Sequence, residues 1–224
     1  ENINPPDFYH SPLTSLVCLE NTTNKGGGAC YEMDEIIKIK SVCQEHNLGL
    51  HLDGARLMNA IVAKKEDPKH YGNVFDTISV CLSKGLGAPM GTVLMGNSSL
   101  MKNAIRVRKV LGGGMRQVGF MAAAGLYAME HQVNRLEQDH QKAKQIALLL
   151  ESLSYIKKVE PTQTNIVIFY MQDGLNQEDF ISALAAKNIR ISDMGQGKLR
   201  VVTHHDYTSQ MHSVFLDTLA AYKH

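Results

Sequence analysis

The stretch His51-Leu52-Asp53-Gly54-Ala55-Arg56 closes one apolar strand, Leu48 to Leu52, and opens a helical run, Ala55 to Ala63. Its acidic residue stands at the strand's carboxyl end. A second segment repeats the arrangement with the opposite charge. Asp76 to Leu82 reads as another strand, carries no charge over Ile78 to Leu82, and ends on Ser83-Lys84-Gly85-Leu86-Gly87. Strands that alternate with helices argue for an α/β unit with a mostly parallel sheet. In such sheets ligands bind beyond the carboxyl ends of the strands. Asp53 and Lys84 both fall at such ends.

Working outward, Leu16 to Leu19 is a short apolar strand ending at Glu20-Asn21, and Gly26-Gly27-Gly28 follows as a loop. Met33, Ile36, Ile37, Lys40 and Cys43 recur at helical spacing, with Asp34 and Glu35 in the first turn, where they suit the helix dipole. Gly91 to Met95 is a fourth strand, and Gly112-Gly113-Gly114 breaks the pattern. One long helical region is expected from about Gln117 to Leu153. Beyond it, Asn165–Tyr170, Ile189–Ser192 and Lys198–Thr203 read as strands, and Gln177–Lys187 and Thr208–Tyr222 as helices. That order describes a small C-terminal α+β domain. The expected division is 1–145 for the large domain with its linking helix and 146–224 for the small one.

Composition narrows the function. Lys and Arg number 23 against 22 Asp and Glu, so no broad field draws in nucleic acid or an anionic membrane, and function should sit in a local pocket. No apolar run is long enough to span a bilayer. The cysteines, Cys18, Cys30, Cys43 and Cys81, include no Cys-x-x-Cys pair. Three of them, Cys18, Cys43 and Cys81, lie in apolar segments and are expected as buried, reduced thiols. That places the protein in the cytoplasm. No metal-ligand set stands out.

Taken singly, each charged candidate has a plain structural reading. Asp53 can cap the following helix, with Arg56 as a solvated charge. Lys84 can be a turn lysine reaching for water. Gly112-Gly113-Gly114, flanked by Lys109 and Arg116, can be a hinge, or a backbone open to close approach by a phosphate. Arg200, in Lys198-Leu199-Arg200-Val201-Val202-Thr203, can be an edge-strand charge that discourages aggregation, or a bidentate clamp on a carboxylate. Taken together, the first two have a chemical logic. A lysine amine condenses with an aldehyde, and an ionised carboxylate against a pyridine nitrogen keeps that nitrogen protonated, as a pyridoxal phosphate site requires.

Five runs, in order, resemble those of the low-specificity L-threonine aldolases. They are Leu19-Glu20-Asn21-Thr22-Thr23-Asn24, His51 to Arg56, Ser83-Lys84-Gly85-Leu86-Gly87-Ala88-Pro89, Gly112 to Gln117, and Arg200-Val201-Val202-Thr203-His204. The resemblance covers nearly the whole chain. It implies the fold of the aspartate aminotransferase superfamily, pyridoxal-phosphate fold type I, for the large domain. It implies that Lys84 carries pyridoxal 5'-phosphate as a Schiff base and that Asp53 pairs with the pyridine nitrogen. Arg56 would lie near the ring oxygen, and Arg200 would hold the substrate carboxylate. Lys109 and Arg116 would lie near the phosphate, reaching it from a neighbouring subunit of a homodimer or homotetramer.

The implied reaction is retro-aldol cleavage of L-threonine or L-allo-threonine to glycine and acetaldehyde. Two alternatives share the lysine and the aspartate: an aminotransferase and a β-eliminating lyase. The resemblance assigns no base for the hydroxyl proton; His51 is a candidate by position only. The family's N-terminal section, with its phosphate-binding loop and ring-stacking histidine, has no counterpart in these 224 residues. The chain is therefore expected to represent the C-terminal part of such an enzyme. A non-catalytic fragment is the third alternative.

Overall fold

The computed structural model describes residues 2–223. Its first sheet runs in the order β1 (Leu16–Glu20), β2 (Gly49–Gly54), β3 (Thr77–Cys81) and β4 (Thr92–Gly96). The first three strands are parallel, and β4 returns antiparallel to β3. The parallel part requires crossovers, and helices supply them. These are α1 (Met33–Glu45) between β1 and β2, then α2 (Leu57–Lys64) and α3 (Pro68–Val74) between β2 and β3.

Alternation along these strands separates two faces. Leu19, Leu50, Leu52, Ile78 and Val80 are buried against Ile36 and Cys43 of α1, Leu57 and Ile61 of α2, and Tyr71 of α3. Each such aliphatic side chain contributes about 1.5–3 kcal/mol on burial. The other face carries Cys18 and Glu20, His51 and Asp53, then Thr77, Ser79 and Cys81, brought level by the register Cys18↔His51, Glu20↔Asp53 and Asp53↔Ser79. The core thus anchors the sheet from one side and leaves the polar residues on the other.

The C-terminal sheet runs β5 (Ile156–Val159), β6 (Ile166–Met171), β8 (Lys198–Val202), β7 (Ser192–Asp193), antiparallel throughout. Helices α7 (Gln177–Ala185) and α8 (Ser209–Ala221) bury Phe180, Leu184, Phe215 and Leu219 against Val167, Phe169, Leu199 and Val201. The opposite face meets the glycine loop of the first unit. Gly28 has φ +74°, and a Cβ there would come within 2.4 Å of Thr164 Oγ1. Thr164 donates to the Gly28 carbonyl at 2.7 Å. This loop therefore packs the two units together.

Four expectations are corrected. The long helix is two, α5 (Gly119–His131) and α6 (Leu136–Ser152), parted at residues 132–135. Helix α4 (Ser98–Val110) follows β4 and was not among the expected elements; none of its residues is buried, and its apolar side chains, Leu100, Ile105 and Val107 among them, are exposed. Of the three cysteines expected buried only Cys43 is; Cys18 is exposed, on the edge strand β1, and Cys81 is half-buried, and all four cysteines are free. Arg200 is not on an edge: β8 lies between β6 and β7. Helix α6 contributes Leu136 to one core and Ala143, Ile146 and Leu150 to another, so it belongs to both units. Among the described residues no helix is long and apolar enough to cross a membrane.

Candidate active site

The site is built at the carboxyl ends of β2 and β3. Asp53 stands on the polar face of β2, half-buried, one residue before the strand ends. Its Oδ1 accepts the Ala55 N–H at 3.0 Å, which fixes the carboxylate over the turn into α2. The partner of Asp53 across the ladder is Ser79, and Lys84 follows five residues later, in the turn after β3. That turn is closed by Gly87 N–H donating to the Lys84 carbonyl (2.9 Å) and Ala88 N–H to the Leu82 carbonyl (3.0 Å). The Lys84 side chain is exposed and, among the described residues, makes no hydrogen bond or ion pair.

Two arginines face this region. Arg56, at the amino end of α2, is half-buried and makes no side-chain hydrogen bond among the described residues. Burial pushes its pKa down, the nearby charge of Arg200 pushes it further down, and Glu20, Cys81 and Asp53 oppose the shift only in part. Arg200 reaches across from β8 and donates from Nη1 to Asn24 Oδ1 at 2.8 Å, while its Nε is buried without a partner. A buried guanidinium N–H with no acceptor is costly. Two guanidinium groups close together and short of acceptors form a locus for an anion.

The end of β1 closes the third side. Asn21 donates its backbone N–H to the Asp53 carbonyl at 3.0 Å, and Glu20 accepts the Asn24 N–H at 3.2 Å. Asn21 and Thr22 are fully buried, yet Asn21 Oδ1 and Thr22 Oγ1 have no partner. The Asn21 side chain is held by the buried Tyr71 hydroxyl (3.4 Å), which itself donates to Glu66 at 2.6 Å. Burial raises the Tyr71 pKa, so this anchor stays a neutral donor.

The structure thus brings Asp53, Arg56 and Arg200 around one place and puts Lys84 in the adjoining turn. It does not bring Lys109 and Arg116 there. Both are exposed, Lys109 in the last turn of α4 and Arg116 in the following loop, and neither makes a hydrogen bond or ion pair among the described residues. His51 lies on the same face as Asp53, but its Nδ1 is tied to Thr77 Oγ1 at 2.8 Å. Sequence reasoning missed Asn24 as the arginine's partner and Ser79 as the register partner of Asp53. The first required a contact over 176 residues. The second follows from strand register, which alternation constrains only once the partner strand is known. A separate cavity of about 740 Å³ lies in the C-terminal unit, lined by Arg190, Arg200, His204, Tyr207 and Val214 among others. It includes no residue of the first sheet.

A family model described as Beta-eliminating lyase matches residues 1–174. The chain is 39% identical over 205 residues to Low-specificity L-threonine aldolase 1 of Arabidopsis thaliana, covering 90% of this chain and 57% of that protein. It is 38% identical over 205 residues to the Low specificity L-threonine aldolase of Escherichia coli (strain K12), covering 92% and 59%. The chain therefore spans less than two thirds of the length of these curated relatives. The solved structure of Leishmania major Threonine Aldolase superposes with a TM-score of 0.78 at 21% identity, over 94% of this chain and 62% of that one. At that identity the likeness shows a shared fold.

Proposed function

The chain belongs to the beta-eliminating lyase family, and we propose that the protein it represents cleaves L-threonine or L-allo-threonine to glycine and acetaldehyde with pyridoxal 5'-phosphate. The observation that carries this reading is the half-buried pair Arg56 and Arg200, short of acceptors beside the Asp53 carboxylate. A carboxylate amid cations otherwise left unpaired suits a ligand with a protonated ring nitrogen and anionic groups. The likeness to two threonine aldolases over about nine tenths of the chain supports the choice of reaction.

The residues fit the cofactor in their chemistry. The partner-free amine of Lys84 would hold the aldehyde. Asp53, with one oxygen engaged by Ala55 N–H, would keep the other for the pyridinium. Arg56 would serve the ring oxygen. Lys109 and Arg116, exposed on the β4–α4 side, would serve the phosphate of a neighbouring subunit. When bound, the cofactor supplies an electron-accepting ring that takes up the pair released as the Cα–Cβ bond breaks.

The chain's own groups do the rest. Arg200 clamps the substrate carboxylate through a guanidinium already oriented by Asn24. Asp53 holds the charge that keeps the ring nitrogen protonated. Lys84, once displaced from the aldehyde, would stand beside the product carbon and, in its ammonium form, would give that carbon its proton. His51, tied to Thr77, supports the sheet and is not assigned as the base.

We place the protein in the cytoplasm as a homodimer or homotetramer with shared sites. The four free cysteines support a reducing compartment. The exposed Val107, Val110 and Leu111 beside Lys109 support a subunit contact there. Labour divides between a unit over 1–145 with the cofactor residues and one over 146–224 with Arg200.

The family's description favours a second reading, β-elimination. Both are tested by assaying the complete protein for acetaldehyde from threonine and for pyruvate from serine or cysteine. Acetaldehyde in excess supports the aldolase; pyruvate in excess replaces it with the lyase.

A further inference from the structure

The turn that carries Lys84 is held from behind by the start of α6. Arg135 Nη2 donates to the Gly85 carbonyl at 2.7 Å, one residue after the lysine. The same guanidinium makes a two-pronged pair with Asp139, at 2.9 and 3.0 Å, and donates from Nε to Gln132 at 3.1 Å. Asp139 is 1% exposed. Leu136 lies between them and packs so closely that a Cβ on Gly85 would come within 2.8 Å of it. On its other side, the Asp139 carbonyl accepts the Thr203 hydroxyl at 2.7 Å, three residues beyond Arg200.

An ion pair four residues apart along a helix is ordinarily a local matter worth a few tenths of a kcal/mol. Here Asp139 is buried and Arg135 half-buried, and the guanidinium's spare donor is spent on a carbonyl 50 residues away. Burying two charges costs desolvation that a surface pair avoids, and well-packed apolar residues would serve the helix as well or better. What apolar residues could not do is fix a backbone carbonyl. We infer that Arg135, oriented by Asp139, is the positioning residue of the Lys84 turn, and that the first turn of α6 ties this turn to the strand bearing Arg200. Arg135 touches neither substrate nor cofactor; it acts by holding the Gly85 peptide. The inference rests on the proposed role of Lys84 for its functional meaning, and on the contacts alone for its structural one.

The test uses the full chain carrying Arg135→Met together with Asp139→Leu, which removes the carbonyl donor without leaving a buried charge unpaired. Hydrogen exchange is followed at the Gly87 and Ala88 amides, which close the turn, and at the β2 amides as an internal control. Fixation of pyridoxal phosphate on Lys84 by borohydride is followed in parallel. Exchange at Gly87 and Ala88 about tenfold faster, with β2 unchanged, is the expected result for a lost hydrogen bond to a charged group. Lys84 fixation should slow by a similar factor. Unchanged exchange at Gly87 and Ala88, or exchange faster by the same factor everywhere, overturns the inference. If that variant does not fold, Arg135→Gln is read by the same two criteria. Failure of the wild-type chain to fix the cofactor on Lys84 strikes the proposed function, and the exchange result still decides the positioning role.

Discussion

Arg200 Nη1 and Asn24 Oδ1 meet at 2.8 Å, joining β8, an inner strand of the small sheet, to the loop that follows β1. The guanidinium gains an orientation without a neutralising charge. Asn24→Ala should therefore leave the fold intact and loosen the clamp. KM for threonine is expected to rise about tenfold with kcat changed less than threefold, the loss of one hydrogen bond to a charged group. A fall in kcat with KM unchanged would assign Asn24 some other role.

Burial, and then the charge of Arg200, disfavour the charged Arg56 guanidinium in the folded protein. Arg56→Gln relieves that repulsion. Thermal unfolding of the protein without cofactor should show equal or higher stability, by up to about 1 kcal/mol. Cofactor affinity, measured by titration, should fall about tenfold. A variant both less stable and unchanged in affinity contradicts the arrangement.

Gly54 sits directly after Asp53, and a Cβ there would lie 2.5 Å from the Ser79 carbonyl oxygen and 3.0 Å from Leu57 Cβ. The first cannot yield without parting β2 from β3, nor the second without shifting the start of α2. Gly54→Ala is expected to cost about 1–3 kcal/mol by denaturant unfolding, in the range of overpacking. It should also weaken cofactor binding.

Asp76 gives the acid dependence. Burial would raise its pKa, but the Leu50 N–H (2.7 Å) and Lys40 (2.9 Å) outweigh burial and hold it below the ordinary carboxylate value. A carboxylate depressed in the folded state lends stability that is fully present above its unfolded pKa, about 4. That stability is lost as pH falls through the lower folded value. Melting temperatures of wild type and Asp76→Asn should differ at neutral pH and converge on acidification below that range. A gap that stays constant with pH would show that the charge plays no part.

The sheet was legible wherever burial dictated the pattern. Leu50 and Leu52, or Ile78 and Val80, alternate with polar residues because one face packs on helices. Both strands accordingly end where Asp53 and Lys84 were expected to mark them. The polar face beyond them was legible only as isolated charges. Arg200 read equally as an edge residue, and its place inside the small sheet depends on β7, which spans Ser192–Asp193 instead of the expected Ile189–Ser192. Helix α4 went unread although its sequence carries helix signals, an Asn97 cap with Leu100, Ala104 and Val107 at helical spacing; none of its described residues is buried. The break at residues 132–135 was missed because no Pro or Gly marks it. Arg135, at its end, turns back on Gly85, and such a tertiary contact leaves no periodic trace.

The central claim is that Lys84 is the amine that holds the cofactor. The full chain is incubated with pyridoxal phosphate, reduced with borohydride, digested and mapped by mass spectrometry, beside Lys84→Ala. The account predicts one dominant phosphopyridoxyl label, on the peptide containing Ser83-Lys84-Gly85, and its loss in the variant. A label mainly on another lysine, or equal labelling of the variant, would contradict it.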